Sequence, residues 1–189
     1  MEPLPPVGDW AARARFEVVP DDHEVRYYAD LGRIEWTEVV RGRGARLHER
    51  DISPPRPPAL LVEAPDRLDV ARFLVFEFAQ FWLDGALRVR VPFGRFDRVD
   101  PSPLRLVDGE GRNRVIGADG SLRASFGPGV LSARSAARFT HYADLPLQEL
   151  SDRLERAGLA AANAVRNGRK PGSLERVGRR LRRVRQLVV

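Results

Sequence analysis

The chain has 189 residues, 43% of them hydrophobic and 31% charged, which is enough for one domain of ordinary size with a real core. That composition excludes a wholly disordered chain. The lack of cysteine excludes disulfides, thiolate metal sites and a cysteine nucleophile.

The formal net charge of +6 is unevenly spread. From Asp152 onward there are eleven basic and three acidic residues, and the rest of the chain holds 21 basic and 23 acidic, so +8 stands against −2. Every basic residue except Lys170 is arginine, a uniformity that codon bias also produces, so charge alone is weak evidence for a partner. The opening MEPLPPVGDW carries acid and proline where a signal peptide has a basic end and an apolar run. The most apolar stretch, residues 70–83, is broken by Arg72, Glu77 and Gln80 and is unsuited to crossing a bilayer. A cytoplasmic protein with no membrane contact is the expectation.

In chain order, residues 15–19, 24–29 and 33–40 are rich in Val, Tyr, Phe, Ile and Trp. Turns at Asp21-Asp22, Asp30-Leu31-Gly32 and Gly42-Arg43-Gly44 separate them, so they read as a meander of strands. Residues 45–49 extend it, SPPRPP at 53–58 interrupts pairing because proline lacks the N–H donor, and 59–62 form a short strand. A long helix follows Pro65-Asp66, with Asp66 as cap, Asp69 in the first turn and Gly85 at its end. Leu68, Ala71, Phe73, Leu74, Val75, Phe78, Phe81 and Trp82 cover most of its circumference, so it must be buried, lying across the sheet.

Further strands are expected at 87–91, 104–107, 112–116, 121–126 and 139–142, with DGEGR and GADGS as turns. A helix from about 146 to 157 shows an apolar stripe of Leu147, Leu150, Leu154 and Ala157, stopped by Gly158. The fold class expected is α+β: antiparallel sheet packed on a long apolar central helix, with C-terminal helices. Residues 1–158 form the domain, and 159–189 a basic linker and an amphipathic C-terminal helix. In that last helix Leu174, Val177, Leu181, Val184 and Val188 make a stripe beside a run of arginines.

Catalytic chemistry is hard to assemble. His23, His48 and His141 are far apart, and no His–acid pair has metal-ligand spacing. Ser132, His141 and Asp144 are the residue types of a triad but lack the Gly-x-Ser-x-Gly elbow. Gly42-x-Gly44 lacks the third glycine of a dinucleotide fingerprint, and the calcium-like DGEG at Asp108 has Asp119 where the bidentate glutamate belongs. The expectation is a non-enzyme with no cofactor and no metal.

The order of pieces resembles a known family. EVRYYADLGRIEWTEVVRGRGARLHERD, LVEAPDRLDVARFLVFEFAQFWL, LRVRVPF, LRLVDGEGRNRVIGADGSLRASF and ARFTHYADLPLQELSDRLERAG are similar to bacterial immunity proteins that accompany polymorphic secreted toxins. That family includes the immunity factor for tuberculosis necrotizing toxin, an NAD⁺ glycohydrolase. The likeness rests on the Arg26-Tyr27-Tyr28 strand, the apolar helix ending near Trp82-Leu83, the basic-aliphatic strand after it, the hairpin, and His141-Tyr142 leading into a Leu-rich helix. It implies a small cytoplasmic antitoxin that binds a cognate toxin one to one and occludes its active site.

Occlusion needs an aromatic or arginine anchor, and the loop at 92–103 offers Arg95, Phe96 and Arg98, with Trp36 as a second candidate if its sheet face is uncovered. The alternative is a nucleic-acid-binding protein. It would act weakly and non-specifically through Arg176, Arg179, Arg180, Arg182 and Arg183.

Overall fold

The structure, a computed structural model, describes residues 1–29, 34–51, 57–86, 105–109 and 111–167. Within them, eight strands form one antiparallel sheet and four helices accompany it. The expected α+β class, with a long apolar helix against an antiparallel sheet and helix at its C-terminal side, is what the chain adopts.

The first element is a helix not anticipated above, α1 (Pro5–Arg13). Its prolines sit at the first helical positions, where the missing N–H costs nothing, and Val7, Trp10 and Ala11 turn inward. The meander follows as β1 (Phe16–Pro20), β2 (Glu24–Ala29), β3 (Ile34–Arg41), β4 (Gly44–Asp51) and β5 (Ala59–Ala64). Alternation selects one face of it: Val25, Tyr27, Trp36, Leu47 and Val62 are buried while their sequence neighbours are not.

Helix α2 (Arg67–Ala86) lies on that face. Asp66 caps it as expected, its Oδ1 accepting the Leu68 N–H at 2.9 Å. Phe78 stands at the centre of the aromatic core, with ring centroids 4.9 Å from Phe16, 5.3 Å from Tyr27 and 5.4 Å from Trp36.

The chain then returns as β6 (Arg105–Gly109), β7 (Arg112–Ile116) and β8 (Leu122–Phe126), which join the sheet in the order β1-β2-β3-β4-β5-β8-β7-β6. The two halves meet between β5 and β8, where pairing is confined to Val62↔Phe126 and Glu63↔Ser125. Beside that seam the register of β7 and β8 slips. Val115 faces Ala124 and Ile116 faces Leu122, so Arg123 is the extra residue of a bulge.

Two expectations need correction here. Residues 139–142 are not a strand: Phe139 ends a helix, α3 (Val130–Phe139), and the next residues are turn. Its small residues Ala136 and Ala137 let the helix sit close to the sheet, and Phe139 reaches Phe126 at 5.7 Å. Nor does Gly158 stop a helix. Helix α4 (Leu147–Arg166) runs through it and packs on α2.

At Gly158 the absence of a side chain is a packing device, because an added Cβ would lie 2.2 Å from Cζ3 of Trp82. Trp82 is itself held edge-on to Trp10, centroids 5.6 Å apart, and the Trp10 indole N–H donates to Ser151 Oγ of α4 at 2.9 Å. Ordinarily Gly→Ala inside a helix gains up to about 1 kcal/mol. Here steric overlap outweighs that, and Gly158→Ala should lower the free energy of unfolding by about 1–3 kcal/mol in a denaturant titration. The expected loops and strands at 52–56 and 87–104, and the tail from 168 to 189, lie outside the described residues.

Candidate functional site

Among the described residues α1, α2 and α3 pack on one face of the sheet, with α4 stacked on α2, and the buried apolar side chains of the strands face them. The opposite face is polar. One cross-strand row on it runs through Glu24, Val39, Arg46, Glu63, Ser125 and Arg114, each directly opposite the next on neighbouring strands. Where β5 and β8 cease to pair, this face opens into a trough of about 530 Å³. Five arginines line it (Arg41, Arg43, Arg46, Arg112 and Arg114) together with Glu63 and Ser125.

Arg41 ends β3 and Arg43 lies in the turn after it, Arg46 and Glu63 come from the adjacent strands, and Arg112, Arg114 and Ser125 from the far side of the seam. Gly44 makes the near wall tight: an added Cβ would lie 2.6 Å from the Ala64 carbonyl oxygen. Glu63 is claimed from both sides, accepting from Arg46 Nε at 2.7 Å and from Arg112 Nη1 at 3.3 Å. With five arginines and one carboxylate the lining carries +4. His48, two residues along β4 from Arg46, is held below the ordinary histidine range, first by burial and then by Arg46.

Ser125 is the unusual member. It is 5% exposed, yet its hydroxyl has no hydrogen-bond partner.

The buried acids elsewhere are saturated. Glu38 of β3 is 2% exposed and accepts from Tyr27 Oη at 3.1 Å and Arg67 Nε at 2.8 Å. Burial, then the Glu38 charge, pushes the Tyr27 phenol well above its usual range. Asp69 of α2 is also 2% exposed and accepts from Arg72 at 2.7 Å and from Arg123 at 2.9 and 3.0 Å. Arg123 continues to Asp144 and to the Ala143 carbonyl, both at 2.9 Å, and Arg72 to the Leu145 carbonyl at 2.7 Å. These arginine-paired carboxylates join strands, helices and turns. Glu77 differs: burial pushes its carboxyl up to about 7 against the pull of Arg138.

The triad residue types are not assembled as a triad. Ser132 Oγ donates to the Pro128 carbonyl at 3.1 Å, and Asp144 accepts from Arg123. Among the described residues no group of three or more His, Cys, Asp or Glu is placed to hold a metal ion. No helix there is long and apolar enough to cross a membrane.

Trp36 does not meet the condition set for it as an anchor. Its face is the covered one: it is 3% exposed, lies 5.3 Å from Phe16 and 5.4 Å from Phe78, and its indole N–H donates to Glu49 at 2.8 Å. Arg95, Phe96 and Arg98 lie outside the described residues, as do Arg176, Arg179, Arg180, Arg182 and Arg183. The trough arginines are far apart in the sequence and meet only through the strand order. A faint signal was there, since Arg112 and Arg114 alternate on one strand face.

The fold is shared with Rv3902c from M. tuberculosis. The two superpose with a TM-score of 0.62 over 80% of this chain and 88% of that one, at 13% sequence identity. No family model matches the sequence, and no curated protein matches it. At this identity the likeness is one of architecture.

Proposed function

We propose that this chain is an immunity protein, an antitoxin that binds a cognate secreted toxin domain one to one and occludes its active site. The toxin chemistry that the family resemblance suggests is NAD⁺ glycohydrolysis. The observation that carries the reading is the division of the sheet into two unlike faces. One is covered by α1, α2 and α3, with α4 stacked on α2, and the other presents a charged platform to which no described element is docked.

A pre-organised platform suits inhibition, because little ordering entropy is lost when a partner docks on it. Opposite charge steers the encounter and speeds association, and buried anchors then set the dissociation rate. The proposal includes action without turnover: the protein blocks by position and modifies nothing.

Co-expression tests it in cells. The toxin domain encoded beside this chain should arrest growth when expressed alone, and growth should resume when the pair is expressed. Continued arrest, with both proteins present and folded, would overturn the immunity reading.

A further inference from the structure

The trough on the open sheet face combines three properties that a merely solvated surface does not need. It is concave and of the size that takes a nucleotide-sized ligand, about 530 Å³. It carries +4 over a short span, with its one carboxylate already held by Arg46 and Arg112. Ser125 is among its lining residues, and although that residue is 95% buried its hydroxyl has no partner. A hydroxyl withdrawn from water without a hydrogen bond is destabilising. That penalty is relieved if a ligand oxygen fills the trough.

We propose that this trough is a binding site for a small phosphorylated molecule. A phosphoryl group offers three terminal oxygens and up to two negative charges. The exposed guanidinium forks of Arg41 and Arg43 can engage it. The Ser125 O–H donates to a third oxygen. A lone carboxylate brings one charge and two oxygens, and would leave most of the volume unfilled. The site is built by the seam between β5 and β8, so it needs no other chain, and it stands or falls apart from the toxin reading.

The test uses the full chain and inorganic pyrophosphate, followed by titration calorimetry at low salt. One site per chain is expected, with affinity falling as salt rises. Ser125→Ala should weaken binding by about fivefold, while the melting temperature of the free protein holds or rises because an unpartnered hydroxyl has gone. Arg41→Gln with Arg43→Gln, both exposed, should weaken it by about tenfold or more. These two exposed positions keep the test available if Ser125→Ala fails to fold.

Absence of binding, or binding that neither variant changes, would overturn the proposal. So would binding that responds to the arginines but not to a folded Ser125→Ala, since that is surface adsorption. A short single-stranded oligonucleotide separates the sources of phosphate. It should compete with pyrophosphate and bind no more tightly. Oligonucleotide affinity about a hundredfold higher, with a steep salt slope, would mark a nucleic-acid surface and overturn the small-ligand proposal.

Discussion

Phe78→Ala should lower the free energy of unfolding by about 3–5 kcal/mol, the range for truncating a fully buried phenylalanine. The side chain is 0% exposed and lies between helix and sheet, within ring-contact distance of Phe16, Tyr27 and Trp36. Those neighbours come from three strands, and their indole, phenol and benzyl groups are too rigid to collapse into the gap. The lost transfer energy is therefore joined by the cost of a cavity. Chemical denaturation checks it, and an unchanged midpoint would mean that α2 does not lie on the sheet as described. Phe78→Leu, which retains more of the buried volume, should cost distinctly less.

Asp69→Ala should be comparably damaging, by about 3–5 kcal/mol, for a different reason. The aspartate is 2% exposed and receives three hydrogen bonds from two arginines. Removing it leaves two guanidinium groups in a confined site with like charge and no shared counter-ion. Arg72 and Arg123 retain carbonyl acceptors at Leu145 and Ala143, and Arg123 retains Asp144, so the damage is local rather than total. The junction pins the start of α2 to the bulge of β8 and to the turn before α4. Asp69→Asn keeps the shape and part of the hydrogen bonding, so it should fall between the parent and Asp69→Ala in a thermal melt. A neutral Asp69→Ala would show that the arginines are satisfied without it.

The two cases also show what a sequence can and cannot reveal. Phe78 was legible: an apolar residue on a helix apolar nearly all round has to be buried, whatever it is buried against. Asp69 was legible as a first-turn acid, but its partner Arg123 was not. Arg123 reaches the helix side because a bulge adds one residue to β8, and nothing in LRASF announces a bulge.

The strands of the meander followed from two-residue alternation and from turns rich in Asp and Gly. Helix α1 was hidden by its prolines, which read as a breaker although they occupy positions where a helix tolerates them. Residues 139–142 carry aromatics that favour strands locally, but burial of Phe139 and Tyr142 from a helix and its following turn overrode that preference. Glycine locally signals a helix stop, whereas the role of Gly158 depends on a tryptophan 76 positions earlier in the chain.

The trough lay further from view than any of these. Its arginines stand in two groups, 41–46 and 112–114, and a strand order that places β8 beside β5 brings them together. Sequence neighbours pointed to the arginine-rich tail; the sheet gathers a second basic cluster from residues that are scattered along a mildly acidic body.

The central claim is inhibition by occupation, and a titration tests it most directly. The purified chain is added stepwise to the toxin domain encoded beside it, while toxin activity and the mass of the complex are followed together. Activity should fall linearly to zero at one equivalent, with a one-to-one complex and both chains recovered unmodified. Complete inactivation at a small fraction of an equivalent would reveal turnover, and an unchanged toxin with no complex would contradict the account outright.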